Sequence, residues 1–541
     1  MSVSSFFRIV AVATAAALAS GCATGPVYDI AITGGTLYDG SGAPPRAASV
    51  AVRDGRIARV AAPDTRLRAR RHIDATGLAV APGFIDPHSH VPESVPEMPG
   101  PMRDVQDLSQ GVTTIMASPD GELSVRQMGM LRDELARRGS GPNYGCYVGH
   151  NGIRREVMPG EHRTATPEEL AAMEAQVRAG MEMGCVGLST GLMYDPGMYA
   201  DEAEVQALAR QVLPFHGSYD SHVRDPGAHL LESDREVVRL GRATGVPVKI
   251  AHLKAVGLAN RGRIGDVIAM VEAAQAEGVS VVADQYPYDG ATLRYARELL
   301  LGPDGKVPGA DALAAMLADP DRRAALRDAT EQGVDGGFAW IKAVGGYGSM
   351  RIVDAPDAPD LIDRNLQLLA EDWGVPPFEA LVRLVTRHRD VRLTLGSIDE
   401  ADIRELIVRP WVMIASDGFY VDDTVRALGK AHPRSWGSFT RVLGHYSRDL
   451  HLFPLEEAIR KMTSLPADHL GFADRGRIAE GKAADIVLFD PATVAARADY
   501  LHPSRPSAGI DTVLVNGVVV YEDGAATGAT PGRFVRRQQP E

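Results

Sequence analysis

The chain has 541 residues, 45% hydrophobic and 23% charged, with 57 basic against 70 acidic side chains and a formal net charge of −13. A nucleic-acid surface needs concentrated lysine and arginine, so this balance argues against a nucleic-acid binder. Three cysteines exclude a disulfide framework, and 56 glycines with 35 prolines fall short of low-complexity disorder, which leaves a folded protein with a large core.

Residues 1–26 stand apart. Arg8 is their single basic residue, and an apolar run of small side chains follows it to Ser20-Gly21-Cys22. This reads as a secretory signal, too short for a transmembrane helix to be preferred. Leu18-Ala19-Ser20-Gly21-Cys22 resembles a bacterial lipoprotein processing site, with Ala19 where leucine is usual and Cys22 as the lipidated residue. An ordinary cleaved signal is the alternative. No later segment supplies ~20 consecutive apolar residues, so any membrane attachment is an anchor rather than a span. The expectation is export in a bacterium to the periplasm, with a lipid anchor at Cys22.

After the leader, residues 27–82 carry short β runs, Tyr28–Ile32 and Ser49–Val52, separated by Gly34-Gly35, Asp39-Gly40 and Asp54-Gly55. The same texture returns in 471–541, at Ala484–Phe489 and Thr512–Val520. Together the two ends are expected to build one small β-sandwich domain. Between them, residues 83–470 alternate apolar strand runs with amphipathic stretches such as Glu168–Met183. The strand runs end at His88, Met116, Gly149, Leu188, His222, His252, Asp284 and Asp417. Eight such units predict an α/β fold, a (β/α)8 TIM-like barrel whose active residues sit at the C-terminal strand ends. The gap from Asp284 to Met413 is too long for one loop and predicts an inserted subdomain at about 291–391. Its Gly345-Gly346-Tyr347-Gly348 stretch suggests a mobile lid. Cys146 and Cys185 fall in apolar strand-like runs and read as buried free thiols rather than a disulfide or a nucleophile.

Histidine and aspartate positions carry the chemistry. His88 and His90 lie two apart on one side of the first strand's end, His222 ends the fifth, His252 the sixth and Asp417 the eighth. That set suits one or two divalent metals on one face of the barrel. A carbamylated lysine after the fourth strand cannot bridge two ions, because no lysine precedes Lys249. Asp120, in Ser118-Pro119-Asp120-Gly121 past the second strand, is the bridging residue expected instead. Pro-Asp-Gly is also ordinary turn chemistry.

The chain resembles the D-aminoacylase (N-acyl-D-amino-acid deacylase) branch of the amidohydrolase superfamily over nearly its whole length after the leader. The resemblance rests on Gly83–His90, Gly187–Tyr194, Ser221–Asp225, Ala251–Ala255, Ser416–Gly418, His432–Arg434 and Lys461–Ala467. It implies that His222 and His252 bind the tighter zinc, that His88 and His90 flank a second position, and that Asp417 is the catalytic carboxylate. It also implies Lys254, Arg434, Tyr194 and Tyr288 as substrate anchors. The family usually has a cysteine where this chain has Asp120, a harder ligand that makes two equally occupied sites more favourable.

The activity implied is hydrolysis of the amide of a small N-acyl-D-amino acid by a zinc-activated water, with Asp417 taking its proton and passing it to the leaving nitrogen. A related amidohydrolase acting on dipeptides, cyclic amides or N-acyl-L-amino acids is the first rival. A non-catalytic envelope lipoprotein is the second, and Asp417 argues against it. His150, His216, His229, His432 and His445 match no ligand role.

Overall fold

The computed structural model describes residues 26–90, 102, 104–334, 339–420 and 432–538. Cys22 and the rest of the leader lie outside the described residues, as does most of the stretch from Phe419 to His432.

Two sheets form at the joined ends of the chain. One runs in the order Arg56–Ala61, Ser49–Arg53, Tyr28–Thr33, Ala69–Asp74. Asp54 and Gly55, at φ 53° and 74°, make the tight turn between its first two strands, a conformation that suits an Asp-Gly pair. Tyr28–Thr33 pairs in parallel with Ala69–Asp74, so the sheet is mixed rather than purely antiparallel. The second sheet joins both ends of the chain: Ala79–Pro82 lies antiparallel to Ile486–Phe489, with Ile486 opposite Pro82. Ile30, Ile32, Val50 and Val52 of the first sheet and Val80, Ile486, Leu488 and Leu514 of the second fill one buried apolar cluster. Alternation along each strand sends these side chains inward.

Eight parallel strand positions follow among the described residues: β1 (Phe84–Asp86), β2 (Val112–Ala117), β3 (Asn143–Cys146, resuming at Val148–Gly149), β4 (Gly187–Gly191), β5 (Ser218–His222), β6 (Val248–Ile250), β7 (Val281–Gln285) and β8 (Val412–Ile414). Hydrogen bonds tie β1, β2 and β3 into one parallel sheet and the resumed β3 through β8 into another. Just past β1 and β8, Ser89–His90 pairs in parallel with Gly418–Phe419. Helices cross between consecutive strands. Pro167–Met183 begins at a Thr166/Glu169 capping box with proline at its first position, and it buries Met173, Val177 and Met181.

The inserted unit has its own core. Gly290–Tyr295, Arg392–Ser397 and Met350–Asp354 form an antiparallel sheet with Arg392–Ser397 in the middle. Leu326, Ile352, Leu366, Phe378, Leu381, Leu393 and Leu395 fill the space between that sheet and its helices. The unit's closing strand ends at Ser397, beyond the expected limit of 391. Gly345 and Gly346 take φ 78° and 99° in the turn after Trp340–Ala343.

The free-thiol reading of Cys146 and Cys185 is overturned: the two form a disulfide, their Cα atoms 4.7 Å apart. Both are buried as expected. The pairing follows from neighbouring strands, since Val186 N–H donates to the Cys146 carbonyl at 2.8 Å and sets the residues side by side. Thirty-nine residues separate them in sequence, so no local signal announces the contact.

Candidate metal centre and active site

The strand ends bring His88, His90, Asp120, His222, His252 and Asp417 together, each buried. Asp120 sits at the middle. Its Oδ2 is 3.0 Å from His222 Nδ1, and its Oδ1 is 3.4 Å from both His88 Nε2 and His252 Nε2. The Pro-Asp-Gly turn delivers it there, with Asp120 at φ 53°. His252 and Asp417 also have positive φ, 34° and 47°. Such conformations are disfavoured for residues with a side chain and persist where surrounding structure enforces them.

Asp417 joins the other half of the group. Its Oδ1 is 2.9 Å from His90 Nε2 and 3.6 Å from His88 Nε2, while Oδ2 receives the Arg434 guanidinium at 2.7 Å. Burial opposes ionisation of Asp417, yet Arg434, His252 and the hydrogen bond from His90 hold its pKa well below the usual carboxylate value. Burial likewise opposes Asp120, and the three facing histidines outweigh it. Burial pushes His88 well below its ordinary pKa and brings His222 to about 4, which leaves their nitrogen lone pairs available. His90 goes the other way: Glu122, 2.8 Å from its Nδ1, and Asp417 overcome burial and raise it.

These donors fit a metal. His88–His252–Asp417, His88–His90–Asp120 and Asp120–His222–His252 each present ligand atoms within 4.8 Å of one another. Both ring nitrogens of His88 and Oδ1 of Asp120 are buried without a hydrogen-bond partner, the state of atoms that await a cation. Imidazole and carboxylate are the donors zinc takes, and a site with more ligands than one ion needs allows a second.

The expected anchors divide. Lys254 Nζ donates to the His252 carbonyl at 2.9 Å and lies 2.6 Å from that ring's Nδ1; burial brings it down to about 8 against the pull of Asp417 and Asp120. Arg434 opens the helix Arg434–Arg441. Its Nη1 also donates to the Ala291 carbonyl at 2.6 Å, while its buried Nε has no partner. Tyr194 meets His222 edge-on, ring centroids 4.6 Å apart. Tyr288 faces Arg441 at 5.1 Å and His432 at 5.8 Å instead of the histidine cluster. Tyr286, passed over in the sequence, fills that place: its ring lies 4.8 Å from the Arg434 guanidinium and 5.5 Å from Lys254 Nζ. Its position one residue past β7 was the available signal. Glu122, two residues beyond Asp120, was missed as the partner that orients His90. His150 is committed elsewhere, at 2.9 Å from Glu204.

Comparison with known proteins adds four likenesses. Residues 401–521 match the family described as Amidohydrolase family. D-aminoacylase of Alcaligenes xylosoxydans xylosoxydans is 35% identical over 540 residues, covering 94% of this chain and 98% of that protein. A solved D-aminoacylase, described by its binuclear metal centre with one-metal activation and second-metal attenuation, superposes with TM-score 0.73 at 33% identity over 94% of this chain and all of that one. An N-acyl-D-glutamate deacylase of Bordetella bronchiseptica, complexed with zinc and a phosphonate mimic of the tetrahedral intermediate, gives TM-score 0.73 at 32% identity, with coverage of 94% and 100%.

Proposed function

The chain belongs to the D-aminoacylase (N-acyl-D-amino-acid deacylase) family of amidohydrolases, and from that membership we propose how its own side chains divide the work. The protein is a zinc-dependent hydrolase of the linear amide of N-acyl-D-amino acids. In our reading Asp120, His222 and His252 hold one ion, and His88, His90 and Asp417 surround a second. The observation that carries this is Asp120, whose two oxygens face histidines of three different strand ends.

Zinc held there supplies a water acidified toward a pKa of about 7 and a positive charge beside the reacting carbonyl. Asp417 receives the proton of the attacking water and returns it to the departing nitrogen as the C–N bond breaks, leaving a carboxylic acid and a free D-amino acid. Glu122 holds His90 Nδ1, so that His90 Nε2 and Asp417 Oδ1, 2.9 Å apart, face the same point. The unpartnered Nε edge of Arg434, with Lys254, Tyr194 and the unpartnered hydroxyl of Tyr286, receives the substrate carboxylate. Tyr288 stands behind this group through Arg441 and His432 and is not among the groups we assign to the substrate.

The parallel strands, with Ser89–His90 beside Gly418–Phe419, support a closed (β/α)8 barrel. The shared apolar cluster supports a β-sandwich built from both termini. Export with a lipid anchor at Cys22 is supported by the leader sequence and by a disulfide, which persists in oxidising compartments. Fatty-acid labelling that disappears in Cys22→Ser tests the anchor.

The function is tested by amine release from matched N-acetyl-D- and N-acetyl-L-amino acids with leaderless protein and zinc. Turnover confined to the D series is expected; turnover of the L series alone overturns the stereochemistry and keeps the metal chemistry.

A further inference from the structure

We propose that Lys249 is a positioning residue for the metal centre, its ammonium fixing the backbone segments that carry His88, Asp120 and His252. The inference rests on the metal-centre reading above. Lys249 lies on β6 with its side chain fully buried. Three oxygens surround this ammonium: it donates to the Pro87 carbonyl at 3.1 Å and to Asp284 Oδ2 in direct contact, and it pairs by charge with Asp220 Oδ1 at 3.1 Å.

Each acceptor leads to a different ligand. Pro87 immediately precedes His88, so the first bond holds that peptide. Asp284 turns its Oδ1 to the backbone N–H of His252, and its Oδ2 stands 4.0 Å from His88 Nδ1. Asp220 accepts from the Ser189 hydroxyl at 2.7 Å, and that hydroxyl accepts from the N–H of Gly121, the residue after Asp120, at 3.3 Å. One lysine thus ties together segments from the ends of β1, β2 and β6. Asp220 and Asp284 are fully buried carboxylates that require a cation between them. His88, Asp220 and Asp284 also present ligand atoms within 4.8 Å of one another, and the Lys249 ammonium meets both carboxylates of that group.

Partners that orient metal ligands typically change metal affinity by about 10–100-fold when removed. The test compares the wild type with Lys249→Met, Asp220→Asn and Ser189→Ala. It reads zinc affinity by chelator competition, the absorption spectrum of the cobalt-loaded protein, and the melting temperature of the metal-free chain. The expected result is zinc binding weakened about 10–100-fold with a changed cobalt spectrum in all three variants, Ser189→Ala included, beyond whatever each loses in metal-free melting. If Lys249→Met yields no folded protein, Ser189→Ala and Asp220→Asn decide. Folded variants with lower metal-free melting but wild-type zinc affinity and cobalt spectrum would reduce Lys249 to a structural ion pair and overturn the inference. A wild type that binds no zinc would instead overturn the metal-centre reading.

Discussion

The strand-end site and the unit inserted after β7 use the same kinds of charged residue to opposite ends. At the site, Arg434 and Asp417 meet at 2.7 Å with side chains 5% and 7% exposed. In the inserted unit, Arg351 and Asp363 meet at 3.2 Å with side chains 28% and 76% exposed. Water weakens the second pair, whereas the first interacts in a low dielectric where each partner strongly shifts the other. The unit's own cohesion comes from its leucine-rich core. It reaches the chemistry through two main-chain carbonyls and one buried side chain: Ala291 O accepts from Arg434 Nη1, Gly290 O lies 3.1 Å from His432 Nε2, and the Arg294 guanidinium acts by charge on Tyr194 and Arg434. The carbonyls make their contacts whatever side chains the strand carries, whereas Arg294 does not.

The largest effects belong to the site. Chelation is expected to abolish turnover and added zinc to restore it, while the far-ultraviolet circular dichroism stays that of the folded chain. Asp417→Ala should lower kcat/KM by about 10²–10⁴-fold, the usual worth of a positioned acid–base group. The ion assigned to Asp120, His222 and His252 should remain bound, so zinc content should not fall below one ion per chain. Near-normal turnover in this variant would remove Asp417 from the proton transfer. Arg434→Met comes next. A hydrogen bond to a charged group contributes about 1.5–3 kcal/mol, so KM should rise on the order of 10–100-fold, and kcat should also fall because Asp417 loses its counter-ion. Steady-state kinetics across an N-acetyl-D-amino acid series would show both changes; an unchanged KM would take the substrate carboxylate away from Arg434.

The contrast also explains what could be read in the sequence. His88, His90, His222, His252 and Asp417 each end a short apolar run, and a strand's direction fixes which end faces the site. Local pattern therefore sufficed to gather them, and Asp120 joined them through its turn. Tyr286 and Tyr288 show where such reasoning stops. Both follow β7, but the strand ends at Gln285, so alternation no longer says which ring faces inward. The Lys249 network and the Cys146–Cys185 disulfide are contacts between strands distant in sequence, and neither leaves a periodic trace. For the inserted unit, the length of the gap from Asp284 to Met413 announced a subdomain, but nothing in the sequence placed its closing strand at Arg392–Ser397.

A middle-sized effect belongs to the bond that joins β3 to the segment before β4. The Cys146–Cys185 bond closes a loop of 39 residues, for which the expected stabilisation is about 2–4 kcal/mol. Replacing both cysteines with alanine should lower the melting temperature, as should reductant on the wild type. Activity at 25 °C should change little, because the bond joins β3 to the segment before β4 and includes none of the six site side chains. A large loss of kcat/KM in a variant that is still folded would mean that β3 and β4 transmit their spacing to Asp120.

The smallest effect is the sharpest check on the comparison. Asp363→Asn removes one charge of the Arg351–Asp363 pair and leaves the shape of the side chain. With Asp363 76% exposed, solvent already replaces most of what Arg351 provides. Arg351 also keeps its bond to Asp289 at 2.9 Å and its place 5.3 Å from the Tyr500 ring. Surface pairs of this kind contribute roughly 0–1 kcal/mol, so melting and kcat/KM should both stay close to wild type. If Asp363→Asn instead altered KM, the effect would have to pass through Asp289 and Gly290 to His432 and Arg434. The Arg351–Asp363 pair would then act on the anchor from the exposed side of the inserted unit.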